Sequence, residues 1–168
     1  PRLNLGTDVF KINAGRAGRL VTEGQNQWVY MTLYDTLFGQ NLASAFVREG
    51  DGEFDPTGRY YHHVDNNISS AGISKHDTIS NSFVQVAGSS DRGSYYGSRN
   101  LVMSLDGSRL VWTRMIFDAD LVSYGLLPNE IYALSTNGLV AFGATEAYDT
   151  QTRQLIHTLP ASSSVAVV

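Results

Sequence analysis

The side chains best suited to chemistry in this sequence fall in a few short runs. His62 and His63 are adjacent, and Asp65 and His76 follow closely. In an extended segment neighbouring residues point to opposite faces, which disfavours His62 and His63 sharing a ligand, whereas His63 can join Asp65 and His76. Strand and loop polarity accounts for the same residues without a site. Asp51, Glu53 and Asp55 place three carboxylates at a spacing of two inside the Gly/acid stretch Gly50-Asp51-Gly52-Glu53-Phe54-Asp55-Pro56. Oxygen ligands at alternate positions suit a hard cation, and a solvated loop is the plainer explanation. Phe117-Asp118-Ala119-Asp120 and Asp65-Asn66-Asn67 have similar spacing but lack the glycine-punctuated acidic loop of an EF-hand, and read as turn-forming acids. Tyr95 and Tyr96 stand in a Gly/Ser-rich stretch, where aromatic rings on a loop can meet a ligand. Tyr95, Tyr96, Asp51, Glu53 and Asp55 are therefore the weak ligand-binding candidates. Trp28 and Trp112 can stack on a sugar or a quinone, or pack between sheets. The sequence has no G-x-S-x-G elbow, P-loop, H-E-x-x-H motif or cysteine. No catalytic residue, metal ligand or cofactor is assigned, and the balance leans away from an enzyme.

The elements that would carry these residues show themselves through a repeat. Leu105-Asp106-Gly107 recurs as Thr136-Asn137-Gly138 and Phe117-Asp118 as Tyr148-Asp149, both 31 positions on, and Leu127-Pro128 recurs as Leu159-Pro160 after 32. Landmarks of three chemistries in one order, at nearly one offset, mark a repeat architecture. Asp-Gly and Asn-Gly between apolar runs predict hairpins, with positive φ at Gly107 and Gly138. Strands are expected near 100–104, 109–115, 131–135, 138–143, 146–149 and 154–159. Third strands end in the acidic turns at Asp118 and Asp149, and a proline stops each unit. Four short antiparallel strands per unit make one blade of a β-propeller.

The first half fits less well. Residues 18–22 and 27–31 resemble the first two strands of a unit, which would make Trp28 and Trp112 equivalent. Residues 58–65 resemble a third strand closed by Asn66-Asn67. Residues 39–58 read as an inserted loop and 88–98 as a linker. The expected fold is all-β, a partial β-propeller of about two and a half to three blades of four-stranded antiparallel sheets. The expected divisions are 1–17 as the end of a preceding blade, 18–97 as an irregular blade with inserted loops, and 98–128 and 129–160 as regular blades. Residues 161–168 would open a following one.

Two runs carry a family resemblance. Asn100–Trp112, with Leu105-Asp106-Gly107 at its centre, resembles the "v-s-p-D-G-x-x-l-y-v" run of bacterial and archaeal YVTN-type surface-layer propellers. Ala147–Pro160, containing Tyr148-Asp149-Thr150-Gln151-Thr152, resembles their "v-i-D-t-x-t-x-x-v-x-t-i-p" run. Quinoprotein-dehydrogenase-like propellers share both patterns. Leu105 stands where proline is usual, and the Tyr-Val-Thr-Asn tetrapeptide is absent. The resemblance implies a fold superfamily and an envelope or extracellular setting.

Composition agrees with a globular β domain. Of 168 residues, 42% are hydrophobic and 17% charged, enough to bury a core and too apolar for disorder. The net charge of −4 offers no basic footprint for nucleic acid, and no run approaches the ~20 apolar residues of a membrane span. The chain begins at Pro1, which suggests a piece of a longer protein. Propellers close with about 4–8 blades, so the remaining blades are expected from a longer chain, another copy or a partner subunit. The functional expectation is a non-catalytic interaction or scaffold module of an envelope or secreted propeller, binding a protein or glycan through the loops 39–58 and 88–98. The alternative is part of an oxidoreductase-type, quinoprotein-like propeller.

Overall fold

The computed structural model describes residues 5, 9–65, 71–90 and 100–160. Every regular element among them is a β-strand. The chain divides into two compact units, Pro1–Ser90 and Asp91–Val168. In the first unit one antiparallel sheet runs β1 (Lys11–Ala14), β2 (Arg19–Glu23), β3 (Trp28–Asp35) and β4 (Gln40–Arg48). A second runs β5 (Gly50–Phe54), β6 (Tyr60–Asp65), β7 (Ile73–Asp77) and β8 (Val84–Ser89). The second unit holds β9 (Leu101–Met103), β10 (Arg109–Trp112), β11 (Met115–Asp118) and β12 (Ser123–Leu126), then β13 (Ala133–Leu134), β14 (Val140–Phe142), β15 (Glu146–Asp149) and β16 (Leu155–Thr158). Each sheet is a four-stranded meander in chain order. The first strands neighbour one another within each unit, β1 against β5 and β9 against β13. The fold is the expected one: all-β, a partial β-propeller, with four blade-like sheets.

The four sheets are copies of one plan. In each, the register slips between the third and fourth strands, at Leu33/Tyr34, Lys75/His76, Ile116/Phe117 and Ala147/Tyr148. Such bulges add local twist at the outer hairpin. In each, the third strand ends in an aspartate, Asp35, Asp77, Asp118 or Asp149, whose carboxylate accepts backbone N–H groups of the turn that follows. Three of these aspartates precede a threonine with a shared task. Thr36, Thr78 and Thr150 donate their hydroxyls to Gly18, Arg59 and Gly138 carbonyls at 3.0, 2.9 and 2.7 Å, tying the outer turn to the turn between strands one and two.

The first half therefore differs from its sequence reading. Residues 39–58, read as an inserted loop, contain all of β4 and all of β5. Residues 18–97 are not one irregular blade but parts of two sheets, and β1 pairs with β2 instead of closing a preceding blade. Trp28 lies on the third strand of its sheet and Trp112 on the second of its own, so the two are not equivalent. The reading slipped by one strand because the Asp-Gly landmark is missing there. Positive φ is supplied by Ala17 and Gly18 at the first turn and Gly58 at the corresponding turn of the second sheet. The predicted turns at Gly107 and Gly138 do have φ of 73° and 66°. Only the glycine is left-handed; Asp106 and Asn137 keep negative φ and use their side chains. Ser104 Oγ donates to Asp106 Oδ1 at 2.7 Å and Ser135 Oγ to Asn137 Oδ1 at 2.9 Å. These are type I turns followed by a left-handed glycine, not two-residue type I′ turns.

Alternation along the strands divides the first sheet into two faces. Val21, Met31 and Leu33 point to the second sheet and form a buried cluster with Phe54 and Tyr61. Trp28 and Tyr30 point the other way, opposite Arg48 and Phe46 of β4. In the second unit Val111, Ile116, Leu127, Ile131, Ala141 and Tyr148 make the core between its two sheets.

Candidate functional site

The first unit buries polar groups where its two sheets meet. β2 ends at Glu23, and β6 brings Tyr61 and His63 to the same face two residues apart. Tyr61 donates its hydroxyl proton to Glu23 Oε1 at 2.6 Å and accepts from Asn13 Nδ2 at 2.9 Å. His63 Nε2 lies 3.3 Å from Glu23 Oε2, and its Nδ1 lies 3.8 Å from Asp65 Oδ1. Lys11 of β1 pairs with Asp51 of β5 beside this group. Glycine at position 52 lets Tyr61 cross the gap, since a Cβ there would sit 2.2 Å from the Tyr61 hydroxyl.

Burial by itself opposes ionisation of both Glu23 and His63, but each is the other's counter-charge. The His63 charge, with hydrogen bonds from His63 and Tyr61 and the nearby Lys11 charge, leaves Glu23 below the ordinary carboxylate range. Burial also pulls His63 down, yet the Glu23 charge and hydrogen bond raise it net above its usual value. Both shifts favour the carboxylate–imidazolium form of the pair. Burial, then the Glu23 charge, raises the Tyr61 phenol well above its usual value, so it remains a donor. Burial pushes Asp65 up as well.

His63 also lines a cleft of about 630 Å³ between the end of β4 and β6–β8, together with Arg48, Asp65, Ser74, His76 and Gln85. His76 is held neutral: burial, then the His63 charge, pushes its pKa down to about 4. Ser74 Oγ lies 2.9 Å from His76 Nε2 and donates to the His63 carbonyl at 3.4 Å. With its single proton spent on the carbonyl, Ser74 accepts from His76, which fixes the proton on Nε2 and leaves Nδ1 as a lone pair. This is the reverse of a serine activated by a histidine base, and a base with pKa about 4 would be weak at neutral pH. The Ser74–His76 contact is therefore not arranged as a nucleophile with its base.

Beside the cleft, Arg48 lies over one face of Trp28 at 3.6 Å, and Phe46 stacks on Trp28 at 5.3 Å and 12°. Tyr30 follows at 5.2 Å from Phe46. Arg48, Trp28, Phe46 and Tyr30 thus interdigitate as a ladder on the outward face of the first sheet, with Trp28, Phe46 and Tyr30 about half or more exposed.

The carboxylates singled out from the sequence do not converge. Asp51 and Glu53 lie on β5 instead of a loop, and Asp51 is taken by Lys11 and the Gly52 N–H. Asp55 caps the next turn, accepting from Thr57 and from the Tyr60 N–H at 2.7 Å. Asp118 likewise serves its turn. Among the described residues no group of three His, Cys, Asp or Glu is placed to hold a metal ion. Tyr95 and Tyr96, with most of the 88–98 stretch and Asn66-Asn67, lie outside the described residues. His63, Asp65 and His76 do line one cleft, and His62 points to the other face. Glu23, Arg48 and Ser74 were missed. Only the packing of one sheet against the next brings Glu23 to His63, although the i, i+2 spacing of Tyr61 with His63 and of Ser74 with His76 was readable.

The class defined by this architecture is a partial β-propeller built from antiparallel four-stranded sheets. Among solved structures the chain is similar to a chain of the Kuenenia stuttgartiensis hydrazine synthase, with a TM-score of 0.57 over 90% of its length and 12% identity. It spans 58% of that chain. At this identity the likeness is one of fold. No family model matches the sequence, and no curated protein does. The YVTN-type resemblance rests on the two sequence runs alone.

Proposed function

We propose that the chain is a non-catalytic interaction and scaffold module of a larger envelope or secreted β-propeller protein. Its role is to seat a further antiparallel sheet of the same ring. The ladder of Arg48, Trp28, Phe46 and Tyr30 carries this reading. The inner face of the same sheet is already covered by β5–β8, whereas the ladder face exposes three large aromatic side chains in a row. Exposed apolar patches of this kind mark interfaces, and sheets stack face to face at about 10 Å. Trp28 has Phe46 on one face and Arg48 on the other, which leaves neither face for a sugar ring and favours a protein partner over a glycan. The similar hydrazine synthase chain extends well beyond the matched part, in keeping with additional sheets supplied by a longer chain, another copy or a partner subunit.

Among the described residues nothing covers the ladder, so in the isolated chain other copies are its expected partners. Sedimentation velocity on the 168-residue chain should show association that grows with concentration. The double variant Tyr30→Ser/Phe46→Ser should remain monomeric with an unchanged circular dichroism spectrum. A wild-type chain that stays monomeric at high concentration, sedimenting like the variant, would overturn the proposal.

A further inference from the structure

We propose that the cleft between the end of β4 and β6–β8 binds a small zwitterionic amino acid, holding its carboxylate on Arg48 and its ammonium between Asp65 and His76. The cleft holds about 630 Å³, open enough to admit such a molecule and large enough for one. Its polar groups are of two opposite kinds. Arg48 is the donor. Its guanidinium carbon lies over the Trp28 ring at 3.6 Å, which restrains the group, and Nη1 is buried without a hydrogen-bond partner among the described residues. An oriented guanidinium is matched by the two oxygens of a carboxylate.

The acceptors are Asp65 and His76. Asp65 Oδ1 stands 3.8 Å from His63 Nδ1, longer than a hydrogen bond; the carboxylate accepts from the Gly72 N–H and feels the His63 and Arg48 charges, and its remaining lone pairs can take a further donor. The Glu23 carboxylate on the far side of the ring balances the His63 charge. His76 is more than nine-tenths buried, and its Nδ1 has no partner among the described residues. The Ser74 contact makes that nitrogen a lone pair, and neutrality of the ring keeps it so near pH 7. A buried acceptor and a buried donor left unmade each disfavour the empty site. A ligand with an ammonium and a carboxylate on one short skeleton satisfies both, whereas an amine or a carboxylic acid satisfies one and upsets the balance between the Arg48 and Asp65 charges, which act on each other in the empty cleft.

The probe is alanine, titrated into the full ¹⁵N-labelled chain near pH 7 and followed by amide shifts. Saturable shifts are expected for amides of β4, β6 and β7. Ethylamine and propionate, which each lack one charged group of alanine, should bind at least tenfold more weakly. Arg48→Gln and Asp65→Asn should each weaken alanine binding by about tenfold, the scale of one charge-assisted hydrogen bond. Leu105→Ser, exposed in the second unit, should leave it unchanged. The analogue comparison uses the unaltered protein, so it decides the matter even if a variant fails to fold. Absence of saturation by alanine, equal binding of ethylamine or propionate, or full binding by a folded Arg48→Gln would overturn the proposal.

Discussion

Replacing His76 with glutamine should flatten the acid limb of the stability profile, and the structure sets the size of the effect. Burial, then the nearby His63 charge, pushes the folded-state pKa of His76 down to about 4, against an ordinary 6.5. The unfolded chain therefore binds a proton more readily than the folded one between these values. As pH falls below 6.5, stability is lost by up to about 1.4 kcal/mol per pH unit, and the loss levels off below pH 4. The gap between 6.5 and about 4 corresponds to about 3 kcal/mol in total. Glutamine can still donate to Ser74 but cannot titrate. The assay is urea unfolding of wild type and His76→Gln at pH 4.5, 5.5 and 7, fitted with a common slope. The difference between the proteins should shift in the variant's favour by about 2–3 kcal/mol on going from pH 7 to 4.5. Parallel profiles across that range would show that His76 takes up a proton in the folded state at no special cost, and the account of its burial would fail.

Glu23→Ala should destabilise by about 3–5 kcal/mol, because it strands the Tyr61 hydroxyl and the His63 imidazolium in a buried site. His63 has a raised folded pKa, so its contribution is full below the unfolded value of about 6.5 and is lost as pH rises through the folded one; denaturation from pH 6 to 9 should show that fall in wild type and not in the variant. Gly107→Val should cost about 1 kcal/mol or more in thermal melts, since a branched side chain must then adopt φ near 73°. Thr113 already holds φ of 57° at the tip between β10 and β11, and its hydroxyl is buried without a partner among the described residues. Thr113→Gly should therefore stabilise by about 1 kcal/mol, read as a higher melting temperature. Thr150→Val removes a fully buried hydroxyl that bonds the Gly138 carbonyl at 2.7 Å, and should cost about 1–3 kcal/mol in the same melts.

The sequence by itself determined the strand chemistry and the turn grammar of residues 100–160. Asp106-Gly107, Asn137-Gly138, Asp118 and Asp149 act within a few residues of themselves, through local backbone conformation and side-chain caps, so their meaning is written where they stand. The same grammar runs through the first half, in Tyr34-Asp35-Thr36 and His76-Asp77-Thr78 beside Tyr148-Asp149-Thr150. It was hidden because the intervals there are 42 and 41 residues instead of 31 and because no Asp-Gly pair marks the inner hairpins. The tertiary structure decided what long-range pairing decides. Trp28 became the middle of a surface ladder because β3 and β4 set it between Arg48 and Phe46. Asp51 became a buried half of an ion pair because β5 lies against β1. The polar cluster exists only where Glu23 of one sheet meets His63 and Tyr61 of the next. Their separation of about 40 residues carries no local signal, and the charge states that define the cleft come from burial, which no short stretch of sequence contains.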